Sequence, residues 1–321
     1  MSGQIAIGVD LGGHKFGVGL LDRQGKLLAE NSYPTPVSAD PVQILTEIAQ
    51  KALGLAHKDA PGASVVGLGI GIPGPVDPES GLIKQCPNLH PLDGVNAVEI
   101  LEKAAGLPAF MGNDAFCATL AELRHGAGRG CRYMALLTLG TGVGGGIAIE
   151  GKVLRGPRQI LGEVGHLVIE PSGPKCGCGN HGCLEALTGL QPICDRAIKK
   201  LQQGRASRLA DAVGGDHQRI NPRLIADLAR EGDALCQEVM DEVGYYLGLA
   251  ISNIIVLCDP DRVVLGGGIS GAGETLFGSI RRTVRHVSRI SRFDPDKIVA
   301  AELGNQAGMV GAGTLVWENL G

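Results

Sequence analysis

Two stretches of this chain repeat one design. "IGVDLGGHKFGVGLLDRQGKLLAE" (residues 7–30) and "ALLTLGTGVGGGIAIEGKVLRG" (residues 135–156) each read as strand, glycine-rich bend, strand, tight turn and strand. The tight turns fall at Gly25-Lys26 and Gly151-Lys152, and a polar residue, Asp10 or Thr138, closes the first strand of each copy. Glycine hairpins do arise independently. Two copies with glycines at the same bend nevertheless predict two lobes of one ancestral design, facing each other and exposing backbone N–H groups at their bends.

Strands and helices alternate through the remainder. The spacing of apolar residues predicts helices over 41–57, "VEILEKAAG", "DAFCATLAELRHG", about 186–203, 221–231, 233–254 and about 306–319. "VVGLGIGIPG" reads as a buried strand, "RVVLGGGISGAGETLFGSIRR" as strand, glycine turn and helix, and "KIVAAEL" as a further strand. The expected class is α/β, with strands covered by helices. At 321 residues the chain is longer than one ordinary core, which favours two domains or one large unit with lobes.

Composition narrows the function. A net charge of −4 gives no electrostatic bias towards nucleic acid or an acidic membrane surface. The N-terminal "MSGQIAIGVDLGG" lacks the pattern of a secretion signal. No uncharged apolar run of about 18 residues suggests a membrane span. The nine cysteines are an odd number, and Cys117, Cys194, Cys236 and Cys258 fall in helix- or strand-like runs, as buried free thiols do. A reducing, cytoplasmic compartment is therefore expected. The 51 glycines exceed the roughly 22 that average usage would give, and they cluster where backbone would approach a ligand.

Three strings fit G-x-G-x-x-G, at Gly69–Gly74, Gly140–Gly145 and Gly266–Gly271, but a dinucleotide fingerprint must follow a strand and open a helix. The first runs into a turn and the second into another strand. The third lacks the acidic residue expected about 20 positions on. The phosphate loop G-x-x-x-x-G-K-[ST] is absent too. What remains is two glycine hairpins and a glycine turn read as a helix N-terminus, which can hold phosphate oxygens by backbone donors without a basic patch. Such a set fits a polyanion such as ATP, with Asp10 near Mg²⁺, the ion that neutralises the β- and γ-oxygens in phosphoryl transfer. The plain alternative for Asp10 is a turn carboxylate bonded to nearby backbone.

Asn113-Asp114 opens a predicted helix. Asp114 reads either as its N-cap or as a carboxylate that accepts a hydroxyl proton during phosphoryl transfer, kept ionised by the helix N-terminus. Sequence alone leaves both open. In "HLVIEPSGPKCGCGNHGCLE", residues 166–185, Cys176, Cys178 and Cys183 sit on a glycine-rich knuckle downstream of His166. Three cysteines and one histidine make a closed tetrahedral zinc set with no vacancy for water, hence structural and not catalytic. His181 competes as fourth ligand from an awkward place in the same loop.

Taken together, "GVDLGGHK", "GIGIPGPVDPESG", "PNL", "NDAFCATLAE", "LTLGTGVGGGI", "GEVGHLVIEPSGPKCGCGNHGCLEA" and "VVLGGGIS" resemble the glucokinase-type members of the ROK family (repressors, open reading frames, sugar kinases) along nearly the whole chain. The resemblance implies the two-lobed actin/hexokinase (ribonuclease H-like) fold. It places a small lobe over 1–115, completed by a C-terminal helix at 306–321, and a large lobe with the zinc site over 116–305. It implies an ATP- and Mg²⁺-dependent kinase acting on the 6-hydroxyl of glucose, with N-acetylhexosamine or fructose kinases as near alternatives, and a homodimer. Asp114 would be the general base. Asn113, Glu163, His166 and Glu185 would bind the sugar hydroxyls, with Gly74 and Asn88 lining the pocket. Asp10, Gly12, Gly13, His14, Lys15, Gly140, Thr141, Gly142, Gly267 and Gly268 would form the phosphate turns, and His166, Cys176, Cys178 and Cys183 would hold zinc. One metal site could then fix both sides of a sugar-binding surface, with no part in bond making.

Two residues depart from the family pattern. His14 stands where a threonine near the phosphates is usual, and Phe116 stands where asparagine is more common. Family repressors carry a helix-turn-helix before the first glycine turn. That turn begins here at Asp10, so DNA binding is not expected, and a non-catalytic sugar sensor is the remaining rival.

Overall fold

The structure is a computed structural model that describes residues 3–87, 89–290 and 292–321. It resolves into two compact units. The first comprises Met1–Gly130, Arg155–Leu161 and Glu302–Gly321, and the second Cys131–Leu154 and Gly162–Ala301. The expected boundary at 115 falls inside a helix, Asp114–His125, that belongs wholly to the first unit.

The first unit is built on strands β1 (Gln4–Leu11), β2 (Lys15–Leu21), β3 (Leu27–Pro34), β4 (Ser64–Ile72) and β7 (Ala109–Asn113), in the order β3-β2-β1-β4-β7. A two-stranded ribbon of β5 (Val76–Asp77) and β6 (Leu82–Ile83) follows β4. Helices α1 (Pro41–Asp59) and α2 (Ala97–Ala105) start at Asp40 and Asn96, whose side chains accept the N–H groups of Val42 and Glu99. Alternation along β1 divides its two faces. Ile7 and Val9 join a core with Ile44, Leu45 and Ile48 of α1. Gly8 instead meets the last helix, which is numbered α10 (Ala307–Leu320). A Cβ on Gly8 would lie 1.9 Å from the Met309 carbonyl oxygen, and one on Gly69 of β4 would lie 1.8 Å from that of Ala312. Glycine there lets backbone pack on backbone. Helix α3 (Asp114–His125) packs against α10 equally closely, because a Cβ on Gly311 would lie 1.8 Å from the Cys117 carbonyl oxygen.

The second unit repeats the sheet. Strands β8 (Met134–Leu139), β9 (Val143–Ile149), β10 (Lys152–Val153), β11 (Arg262–Gly266) and β12 (Ile298–Ala300) lie in the order β10-β9-β8-β11-β12. In both sheets an antiparallel meander is extended by two parallel strands. The register is also shared. Asp10 is opposite Gly17 on its antiparallel neighbour and Gly71 on its parallel one, and Thr138 is likewise opposite Gly144 and Gly266. The two hairpins noticed in the sequence are therefore equivalent, down to the glycines that flank the polar residue.

Helices α4 (Leu184–Thr188), α5 (Leu190–Gln202), α6 (Arg208–Val213), α7 (Pro222–Arg230), α8 (Ala234–Cys258) and α9 (Glu274–Val287) complete the second unit. Three expectations need correction. The helix expected over 186–203 is two, divided at Gly189, whose extended backbone (φ −69°, ψ 171°) also caps α5. The glycine turn at 267–268 is not the N-terminus of a long helix. It leads into a 3-10 segment, Gly268–Ala272, and α9 begins only at Glu274. The strand at "KIVAAEL" shrinks to Ile298–Ala300. Helix α8 is long and apolar enough to cross a membrane by length and composition. Its Val239, Val243, Leu247, Ala250, Ile251 and Ile254 are core residues of this unit, however. Its Gly244 and Gly248 also pack tightly against Ser279 and Thr283 of α9.

Candidate active site

In the first unit the end of β1 and the β1–β2 bend open onto a cleft of about 930 Å³. It is lined by Asp10, Gly12, Gly13, His14 and Lys15, by Glu30, Asn31 and Ser32 of β3, by Pro73 and Asp114, and by Asn305, Gln306 and Met309 at the start of α10. The bend is held from one side by Thr35. Its N–H donates to the His14 carbonyl at 2.9 Å, and its hydroxyl donates to that of Gly12 at 2.7 Å. The Lys15 carbonyl accepts the Gly12 N–H at 3.0 Å. With those carbonyls engaged inside the chain, the bend has the character of a donor surface suited to phosphate oxygens.

Asp10 and Asp114 line this cleft together. Asp10 is pushed up to about 6, first by burial and then by the negative charge of Asp114. Its carboxylate rests on Gly308 of α10, where a Cβ would lie 2.5 Å from Cγ. Burial also raises Asp114, although the N–H of Ala115 and the Asn113 side chain oppose the shift. The N-cap reading of Asp114 is displaced. Asn113 caps α3, its Oδ1 accepting from Ala115 and Phe116 at 2.9 and 3.1 Å, and Asp114 is the first helical residue. The Asn113 amide in turn donates to the Gly74 carbonyl at 3.0 Å, so Gly74, at φ +88°, is fixed beside the same turn. Phe116 presents its ring to the guanidinium of Arg155, 4.1 Å from the ring centroid, a cation–π contact. His14 is exposed within the cleft lining. Asn88 lies outside the described residues.

The remaining expected residues gather in the second unit, around the end of the β8–β9 hairpin. Glu185, at the start of α4, accepts the Val143 N–H at 3.0 Å, and a Cβ on Gly142 would lie 2.2 Å from its Oε2. The segment Glu163–His166 lies on β9, with Gly165 against the Val143 carbonyl and Val164 over Gly145. Gly267, at φ +82°, backs onto Leu139 next to Gly140. Gly140, Thr141, Gly142, Glu163, His166, Glu185, Gly267 and Gly268 thus surround one strand end.

The metal set is assembled here too. The ligand atoms of His166, Cys176, Cys178 and Cys183 lie within 4.8 Å of one another. Cys178 and Cys183 sulfurs are 3.7 Å apart, close to the ~3.8 Å edge of a tetrahedron with Zn–S bonds of about 2.3 Å. His166 Nδ1 is 3.8 Å from Cys176 Sγ, again the edge of a small tetrahedron. His181 is not a member of this cluster, and its Nδ1 lies 3.3 Å from the Gly173 carbonyl oxygen. The donor set and spacing fit zinc.

Sequence reasoning missed Thr35, the β3 residues Glu30–Ser32, and Asn305, Gln306 and Met309. The last three had one signal, the expected return of the C-terminal helix to the N-terminal lobe, but nothing local pointed to their neighbourhood with Asp10.

The ROK family profile matches residues 6–319. The chain belongs to the ROK family. The glucokinase of Thermotoga maritima is 36% identical over 315 residues, covering 98% of each chain. A ROK family glucokinase from Streptomyces griseus, solved with glucose and AMPPNP, aligns at a TM-score of 0.80 with 32% identity over 97% of this chain and 98% of that one. The DNA-binding transcriptional dual regulator NagC of Escherichia coli is 33% identical over 97% of this chain, which spans 75% of the regulator. The fold of this ROK protein is accordingly the actin/hexokinase type, and the twin sheets are its duplicated core.

The raised pKa of Asp10 gives a test of the cleft's electrostatics. A carboxyl whose folded pKa exceeds its unfolded value contributes stability that is present at low pH and lost as pH rises through the folded value. Stability should therefore fall between about pH 4 and 6 by roughly 3 kcal/mol from this group. Asp10→Asn should reduce that slope to the part that Asp114 contributes, and raise the chemical-denaturation midpoint at pH 7. An unchanged slope would show that Asp10 is not the titrating group.

Proposed function

We propose that this ROK protein is an ATP-dependent glucokinase, moving the γ-phosphoryl group of ATP to the 6-hydroxyl of glucose. The observation that carries the reading is the Asp114 carboxylate, fixed at the head of α3 in the same cleft as Asp10 and the first glycine bend. Glucokinases related along almost the full chain supply the substrate.

In this reading Asp114 takes the proton from the sugar O6 as the O6–phosphorus bond forms and the bond to the β-phosphate oxygen breaks, releasing ADP. Burial strengthens it as a base by raising its pKa, and its place in the first turn of α3 keeps the ionised form accessible. Asn113 orients that turn. The bends at Gly12–Lys15, Gly140–Gly142 and Gly267–Gly268 bind the phosphates through N–H groups other than those of Gly12 and Gly140, which bond within their bends, with His14 in place of the usual threonine. Asp10 would hold Mg²⁺, which supplies charge neutralisation on the β- and γ-oxygens.

Glu163, His166 and Glu185 bind the sugar hydroxyls, joined by Asn113, Gly74 and Asn88. His166, Cys176, Cys178 and Cys183 would hold the zinc ion, which would supply rigidity to this side of the pocket. With Nδ1 turned to Cys176, His166 keeps its other ring nitrogen for the sugar. Glu185 lies between the cluster and the second phosphate bend, with Oε1 4.0 Å from Cys176 Sγ and Oε2 on Val143. The reading carries the family expectations of a homodimer and a cytoplasmic location. The second of these agrees with nine cysteines of which none is paired in a disulfide among the described residues.

A second reading, a non-catalytic sugar sensor, is favoured by the likeness to NagC. A panel of glucose, mannose, fructose, N-acetylglucosamine and N-acetylmannosamine with Mg-ATP should give glucose the highest kcat/KM, and a higher value for another sugar would replace the substrate. Asp114→Ala should lower kcat by about 10²–10⁴-fold while calorimetry still detects glucose binding. Unchanged turnover would remove Asp114 as the base. Elemental analysis should find one zinc per chain. Cys178→Ser should release it and raise KM for glucose about tenfold or more, with a smaller effect on KM for ATP.

A further inference from the structure

Glu122 has no part in the chemistry above and yet is a charged residue with 0% exposure. It lies on α3, rather more than two turns beyond Asp114, and its carboxylate is enclosed by backbone donors from two separate parts of the chain. Oε2 accepts the N–H of Ala127 at 2.7 Å and that of Glu302 at 3.1 Å. Oε1 accepts the N–H of Leu303 at 2.8 Å. Gly126 leaves the room, since a Cβ there would lie 2.1 Å from Oε2. Ala127 lies just before the chain leaves the first unit at residue 130, and Glu302 and Leu303 lie where it returns. Immediately beyond them Asn305, Gln306 and Met309 line the cleft, and Gly308 backs the Asp10 carboxylate.

We propose that Glu122 is a positioning residue for the phosphoryl-donor half of the site: its buried carboxylate sets the placement of residues 302–306, and through them the seating of α10 against Asp10. This rests on the kinase reading for its consequence, though not for its geometry. A buried carboxylate is tolerated only when its oxygens are hydrogen-bonded, and here three N–H groups do this. Glutamine has nearly the same shape but cannot replace it. With one acceptor oxygen, its NH₂ must face either Leu303 or the Ala127–Glu302 pair, setting donor against donor. The carboxylate thus joins the helix bearing Asp114 to the segment that places Asn305 and Gln306.

The test uses Glu122→Gln and Leu303→Pro in the full-length protein. The second variant leaves the carboxylate intact and removes one donor, at a residue whose φ of −84° is near what proline adopts. It keeps the proposal testable should Glu122→Gln fail to fold. Both should raise KM for Mg-ATP, and Kd for AMPPNP, by about tenfold or more, the scale of one lost buried hydrogen bond. Glucose affinity measured without nucleotide should stay within about twofold, and amides 302–306 should exchange hydrogen faster. Wild-type nucleotide affinity in both variants would overturn the proposal. So would loss of glucose and nucleotide affinity in proportion to a fall in melting temperature, which is what general destabilisation produces. If wild-type protein itself fails to phosphorylate any sugar, the kinase reading fails instead, and AMPPNP affinity with hydrogen exchange still reads the role of Glu122.

Discussion

The first unit depends on a contact in which no side chain intervenes. Helix α10 rests on β1 and β4 at Gly8 and Gly69, and on α3 at Gly311, and a Cβ added at any of the three would fall within 2 Å of a carbonyl oxygen on the other side. At ordinary packing density side chains can re-adjust by rotamer changes, but backbone against backbone has no such freedom. The helix therefore has one seat. That seat brings Gly308 to Asp10, and burial there, with Asp114 as a charged neighbour, gives Asp10 its raised pKa. Backbone packing at these glycines thus sets the surroundings of a cleft carboxylate.

The second unit also packs its sheet against helices, and beside the end of the β8–β9 hairpin it gathers a set of side chains suited to a metal ion. Its knuckle has little apolar content of its own, and Cys176, Cys178 and Cys183 are drawn together with His166 instead of forming a small core. Glu185 links this cluster to the bend at Gly142 and Val143. Both copies of the sheet are thus covered by helices, and the second alone carries the His/Cys cluster beside its bend.

Much of this was legible in the sequence, because the features concerned are local. The twin hairpins could be read since a bend that must expose backbone needs glycine, and the bends recur at the same offset from Asp10 and Thr138. The cysteine knuckle could be read since metal-ligand spacing is short. The failures have a common physical cause. A helix was expected to run through Gly189, because a single glycine is tolerated in a helix, but a Cβ there would come within 3.0 Å of both the Glu185 and Thr141 carbonyl oxygens. The polar residue Glu122 looks by periodicity like any member of a solvated helix face, and its partners at 302 and 303 are far away in the chain. The neighbourhood of Asp10 with Asn305 and Gln306 is likewise set by tertiary packing, which no window of sequence contains.

The first unit is assembled from three pieces of chain, and every residue of the second lies between the first and last of them. During synthesis from the N-terminus, domains generally fold as units as they emerge. Here the sheet that contains β1 must wait, with the glycine-lined face of β1 and β4 uncovered, until residues 307–320 have been made. The sheet begun before the second unit is therefore completed only after it. Nascent chains that stop short of that helix would carry a finished second unit beside an open sheet, the kind of species that chaperones and proteases recognise.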